Sequence, residues 1–260
     1  MSDQLKVAII QSELAWENPE HNRQRFKKTI EGIQEPVDLV VLPEMFTSGF
    51  TMTPQDIAET MDGQTVLWLQ ELARYNQMAI TGSLVIKEQN QFFNRLLFVH
   101  PNGTIDYYNK RHTFTLAGED KVYTAGSNRL IVEYKGWKIC PLVCYDLRFP
   151  VWSRNTIDFD MLLYVANWPN PRITAWDSLL KARAIENMSF CVGVNRVGID
   201  NNGHEYSGHS ACYDGLGEKL SSIKPCQEEV GIVTLDKKHL QSIRKKLRFL
   251  DDRDTFTLVR

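Results

Sequence analysis

The chain has 260 residues, 43% apolar and 24% charged, which is the balance of a folded globular protein and excludes a disordered or fibrous one. Its formal charge of −2 lacks the basic excess expected of a nucleic-acid or membrane-surface protein. Five cysteines, an odd number with no Cys-x-x-Cys spacing, predict reduced thiols in a cytoplasmic protein rather than a disulfide framework.

The opening "MSDQLKVAII" has no basic start followed by a long apolar stretch, so no signal peptide is expected, and no apolar run is long enough to cross a bilayer. No repeat or Pro/Gly/Ser linker divides the chain, which predicts a single domain over residues 1–260. "LKVAIIQSEL" reads as a buried strand. "HNRQRFKKTIEGI" spaces Phe26, Ile30 and Ile33 as one face of a helix. "VDLVVLPE" is a second continuous apolar run, hence a strand covered on both faces. "DGQTVLWLQELARYNQ" carries Val66, Leu69, Leu72 and Ala73 on one helical side. The stretch from Met78 to Lys110 reads as a hairpin or meander around the turn "PNGT". A strand pair is predicted around Lys135-Gly136, then a strand at "DMLLYVANW" and a helix at "TAWDSLLKARAIENM". "FCVGVNRVG", "GHSACYD" and "EVGIVTLD" are strand candidates, and "KKHLQSIRKKLRFL" closes the chain as a helix. Strands alternating with helices imply an α/β architecture, in which ligands gather at the C-terminal ends of strands.

Polar or unusual residues stand at four such ends: Glu44 after "DLVVLP", Lys110 after "IDYYN", Cys144 after "ICPLV" and Trp168 after "LLYVAN". A lone cysteine is more often a small core hydrophobe than a nucleophile. A nucleophilic thiol needs a base, and none of the six histidines has a context that marks it as one. A carboxylate in a dry pocket can serve instead, and Glu44 follows a buried strand. Lys110, aided by the backbone N–H of Tyr145, suits an oxyanion. A zinc reading of "HEYSGHSACYD", with His204, His209, Cys212 and Asp214, fits no standard ligand spacing, so no metal is expected.

"LVVLPEMFTSGF", "YNKRHTF" and "LVCYDLRFP", in that order, resemble the three signature blocks of the nitrilase superfamily, the carbon–nitrogen hydrolases. The likeness extends through "YVANWPNPR", "KARAIENMSF" and "GVNRVG", and these blocks are most similar to the ω-amidase branch. The resemblance implies a four-layer αββα sandwich, usually dimeric, with no metal or organic cofactor. It implies Glu44 as general base, Lys110 as oxyanion stabiliser, Cys144 as nucleophile and Glu119 as a second glutamate, with Asp120 its one-residue alternative. It also implies hydrolysis of the terminal amide of small 2-oxo-acid amides such as 2-oxoglutaramate and 2-oxosuccinamate. Deaminated glutathione is the alternative substrate, and a non-catalytic scaffold on the same fold the alternative role. A substrate carboxylate would need a cation, for which Arg148 or Arg172 could serve, with Trp168 and Phe46 lining the pocket. Arg148 could instead pair with Asp146, and Arg172 could be a loop charge.

Overall fold

The computed structural model describes residues 3–258. In chain order, β1 (Gln4–Gln11), α1 (Pro19–Glu31), β2 (Leu39–Val41), α2 (Pro54–Ile57), α3 (Gln64–Asn76), β3 (Ala79–Glu88), β4 (Gln91–Val99) and β5 (Ile105–Asn109) make the first half. The second half comprises α4 (Glu119–Val122), β6 (Val132–Tyr134), β7 (Trp137–Val143), α5 (Pro150–Ser153), β8 (Met161–Ala166), α6 (Ile173–Asn187), β9 (Phe190–Asn195), β10 (Val197–Ile199), β11 (Glu205–Ser207), β12 (Ala211–Tyr213), β13 (Glu229–Asp236) and α7 (Lys237–Leu247).

Two sheets result, ordered β13-β1-β2-β3-β4-β5 and β12-β9-β8-β7-β6, with β10 and β11 as a separate ribbon. Each sheet has a parallel centre, β1-β2-β3 in one and β7-β8-β9 in the other, extended by antiparallel strands. Period-2 alternation sorts the first sheet's side chains between two layers. Leu5, Val7 and Ile9 of β1, with Leu96 and Phe98 of β4, join Ile139, Leu142 and Met161 of the second sheet in one core. Ala8, Ile10, Leu97 and Val99 point the other way, onto Phe26 and Ile30 of α1 and Val66 and Leu69 of α3. On the far side of the second sheet, Trp176, Leu180 and Ala184 of α6 and Leu240 of α7 complete the packing. This is the four-layer αββα sandwich. Gly193 of β9 lets α6 approach closely, since a Cβ there would lie 2.4 Å from a Leu180 methyl.

Local chemistry explains the element ends. Asn18 caps α1 by accepting from the His21 N–H, and Pro19 stands at its first turn. Asp236 caps α7 through the N–H groups of Lys238 and His239. Lys135 and Gly136 both have positive φ, +51° and +81°, the turn that joins two antiparallel strands, here β6 and β7. The 78–110 segment is a three-stranded meander, with a first turn at Gln89-Asn90 besides the one at "PNGT". "FCVGVNRVG" divides into β9 and β10 at Arg196, where the chain leaves the second sheet for the ribbon.

Candidate active site

β2 and β5 of the first sheet and β7, β8 and β9 of the second present their C-terminal ends to one region between the sheets. Glu44 lies three residues past β2, Lys110 directly follows β5, and Cys144 directly follows β7. Asn167 and Trp168 follow β8, and Asn195 ends β9.

The structure brings Glu44, Lys110 and Glu119 into one buried ion network, with at most 1% of any of the three exposed. Lys110 Nζ lies 3.0 Å from Glu44 Oε1 and 2.8 and 3.0 Å from the two Glu119 oxygens. Asn94 Nδ2, from the middle of β4, donates to two of the three oxygens that face Lys110, Glu44 Oε1 at 2.8 Å and Glu119 Oε1 at 3.3 Å. The Asn167 N–H donates to Glu44 Oε2 at 2.8 Å, and the Phe114 N–H to Glu119 Oε2 at 2.5 Å. The carboxylates are thus held by donors on each oxygen. Asp120, in contrast to Glu119, is exposed, which settles which acid of "GEDK" faces inward.

Burial opposes charge on every group here, and neighbours decide the outcome. Burial pulls Lys110 down, but the Glu119 and Glu44 carboxylates outweigh it and raise its pKa, so it stays an ammonium. Glu119 is raised by burial and by the Glu44 charge, against the pull of Lys110. Cys144 is raised well above the usual thiol range by burial and by the Glu44 carboxylate; Lys110 offsets this only in part. Cys144 therefore rests as a thiol in the field of a carboxylate. Attack by its sulfur requires proton transfer rather than a standing thiolate.

Cys144 sits at φ +45°, where β7 gives way to a 3-10 turn over Cys144–Arg148. A non-glycine residue there holds a disfavoured conformation that its surroundings must fix. The sulfur opens on a narrow pocket that Lys110 also lines. Trp168 forms one wall, with its indole N–H donated to the Arg172 carbonyl at 2.8 Å. Arg148 and Arg172 stand on the rim, each over an aromatic face: Arg148 is 4.9 Å from the Trp168 ring and Arg172 is 5.1 Å from Phe114. The Asp146 oxygens accept from Tyr108, His112 and the Val143 N–H, not from Arg148.

Phe46 does not line this pocket, contrary to the sequence reading. Met45 takes φ +43°, and the Phe46 ring then packs in the outer core on Phe26, 5.4 Å away, and beside Trp68. Its place on the pocket wall is taken by Phe50, which lies 5.1 Å from Lys110 Nζ, and by Phe114. Asn94 and Asn167 were also absent from the sequence-derived site. Asn94 had a signal: two adjacent polar residues, Asn94 and Arg95, inside an apolar strand cannot both face water.

The residues of the zinc reading do not converge. His209 pairs with Asp177, Asp214 pairs with His239, and Cys212 is buried in β12. Among the described residues no group of three or more His, Cys, Asp and Glu is arranged to hold a metal ion.

A thiol, a carboxylate base and a buried ammonium around one small pocket can carry out nucleophilic substitution at a carbonyl carbon. The comparisons agree with that chemistry. The carbon-nitrogen hydrolase family model matches residues 6–245. An omega-amidase, YafV, of Yersinia enterocolitica is 44% identical over 98% of this chain and 99% of its own. A 2-oxoglutaramate amidase of Bacillus subtilis is 32% identical over 95% of this chain and 96% of its own. A CN-hydrolase superfamily protein of Xanthomonas campestris, solved with an arsenic adduct in its active site, superposes with a TM-score of 0.97 at 44% identity, covering 100% of both chains. The chain belongs to the carbon-nitrogen hydrolase family.

Proposed function

We propose that this protein is an ω-amidase that hydrolyses the terminal amide of small 2-oxo-dicarboxylic acid monoamides, 2-oxoglutaramate and 2-oxosuccinamate, to the acid and ammonia. The observation that carries this reading is the buried Glu44–Lys110–Glu119 network against the Cys144 thiol, in a pocket with two rim arginines. The names of the Yersinia and Bacillus relatives support the substrate class. The pocket is narrow and walled by Phe50, Phe114 and Trp168, which favours a short amide over deaminated glutathione.

Cys144 attacks the amide carbon as Glu44 takes its proton. Lys110 and Asn94 on Glu44 Oε1 and the Asn167 N–H on Oε2 hold this carboxylate in place for the transfer. The Lys110 ammonium and the Tyr145 N–H stabilise the oxyanion. Glu44 then protonates the departing nitrogen, leaving ammonia and a thioester on Cys144. Water, deprotonated by the same carboxylate, cleaves the thioester and returns the thiol. Glu119 holds Lys110 in place and keeps it charged. Arg148 or Arg172 meets the substrate carboxylate.

Ammonia release is measured on 2-oxoglutaramate, 2-oxosuccinamate, glutamine, a simple nitrile and deaminated glutathione, with Cys144→Ala as blank. The 2-oxo monoamides should lead. Preference for the nitrile overturns the substrate class, and undiminished release by the blank overturns the mechanism.

The residues form one hydrolase domain, acting in the cytoplasm as a homodimer. The cysteines, all free, support the compartment. No helix among the described residues is long and apolar enough to cross a membrane. Exposed Val151, Phe256 and Leu258 line one groove beside α5, which supports a second copy as its cover.

A further inference from the structure

We propose that Asp146, with His112, is a positioning pair that fixes the nucleophile relative to the Lys110 ammonium. It does so by tying the Cys144 turn to the strand end that delivers Lys110. The inference rests on the reading of Cys144 as nucleophile and Lys110 as its oxyanion partner.

Asp146 is fully buried, yet no lysine or arginine among the described residues pairs with it. Its carboxylate is compensated by four donors instead. Oδ2 accepts from the Val143 N–H at 3.0 Å and the Tyr108 hydroxyl at 2.8 Å. Oδ1 accepts from the His112 N–H at 3.0 Å and contacts His112 Nδ1 at 2.7 Å. Val143 immediately precedes Cys144, while Tyr108 and His112 stand two residues on either side of Lys110. One carboxylate therefore joins the two segments that carry the proposed nucleophile and oxyanion partner, and they come from different sheets.

The anchors are themselves fixed. The Tyr108 oxygen accepts from Trp152 Nε1 at 3.0 Å and from the Arg111 N–H at 3.1 Å, so its proton is committed to Asp146. The His112 ring stacks flat on Phe149, with centroids 3.6 Å apart, and Phe149 meets the pocket residue Tyr145 edge-on. Cys144 at φ +45° needs such restraint, and Asp146 grips the amide just before it. Asp146 and His112 do not line the pocket, so their loss should act on turnover and leave substrate binding alone.

The test compares Asp146→Asn, His112→Ala and His112→Asn, each also combined with Lys110→Met. Melting temperature, kcat, KM and the rate of Cys144 alkylation by iodoacetamide are measured for every variant. Asp146→Asn should lose about 100-fold in kcat at unchanged KM, the scale of an ångström-sized misplacement. His112→Ala should lose less, because the His112 backbone N–H still donates, and His112→Asn, whose amide can replace Nδ1, should recover most of that loss. In the Lys110→Met background the Asp146→Asn loss should vanish, since there is no ammonium left to align with. Full kcat in a folded His112→Ala, losses that multiply in the double variant, or losses that match the unfolded fraction would each overturn the proposal. Should none of the 2-oxo amides be a substrate, alkylation replaces kcat as the readout. Slower alkylation in folded Asp146→Asn then supports the positioning role, and an unchanged rate removes it.

Discussion

The floor and the rim of the pocket hold charge in opposite ways. On the floor, Glu44, Lys110 and Glu119 are sealed from water, and each has at least three hydrogen-bonding contacts. On the rim, Arg148 is exposed and Arg172 half-buried, each resting on a ring. A floor of this kind is preorganised: its dipoles and charges are in place before the reaction, where they are worth most. A rim of this kind can adjust to the ligand, since a guanidinium slides on an aromatic face at small cost. The floor is thus suited to any amide, and the rim to choosing among amides. That division can be broken by experiment at several levels.

The largest effect should come from Lys110→Met. Loss of an oxyanion donor lowers kcat by about 10²- to 10³-fold. It also leaves two buried carboxylates facing each other, and breaking a buried pair costs about 3–5 kcal/mol. Glu119, raised by burial and by Glu44 even with Lys110 present, should then fold best protonated. A carboxyl whose folded pKa is raised contributes stability at low pH that is lost as pH rises through that pKa. The variant should therefore gain melting temperature relative to wild type as pH is lowered toward the acid range. A difference between the two proteins that is flat with pH would show that the floor carboxylates are not coupled through Lys110.

Thiol labelling sharpens the same point. Burial and the Glu44 carboxylate hold the Cys144 thiolate above the ordinary thiol range, so its alkylation rate should still be climbing above pH 9.0. Cys140, buried and pushed up to about 12, should stay unlabelled until the protein unfolds. A plateau in Cys144 labelling near neutrality would mean a standing thiolate and would remove the need for Glu44 as a base.

The rim should respond in KM alone. A charge-assisted hydrogen bond contributes about 1.5–3 kcal/mol, so truncating the arginine that binds the carboxylate should raise KM about tenfold or more at constant kcat. Arg148→Ala and Arg172→Ala are compared on 2-oxoglutaramate and on a neutral amide of similar length. Only the acid should suffer, and from one of the two substitutions. Equal losses on both amides would place the arginines in the floor's category, as parts of the chemistry.

The floor was more legible in the sequence than the rim. Glu44, Lys110 and Cys144 stand where apolar runs end, and strand ends are where an α/β fold gathers its chemistry. Lys135-Gly136 and "PNGT" likewise announce turns that the chain makes. Asn94 was half legible: beside Arg95 in an apolar strand, one of the two polar side chains must turn inward, but nothing local says that it meets a buried ion. Phe50 and Phe114 were hidden for a different reason: both sit in irregular segments, where no periodicity says which way a ring points. Phe46 misled because proximity to Glu44 along the chain implied proximity in space, and the positive φ of Met45 breaks that link.

The smallest effect tests that last distinction. Phe46 packs against Phe26 and Trp68, and Gly82 of β3 leaves room for its ring, since a Cβ there would lie 3.0 Å from it. Phe46→Leu roughly preserves core volume, so the cost should be about 1.5 kcal/mol or less, seen as a lower melting temperature with KM unchanged. Phe114→Leu should do the reverse: its ring is half-buried and carries the Arg172 guanidinium, so KM for a carboxylate-bearing amide should rise while the melting temperature holds. If Phe46→Leu moves KM as much as Phe114→Leu does, the outer core and the pocket wall are mechanically continuous, and the floor is not the rigid body that its hydrogen bonds imply.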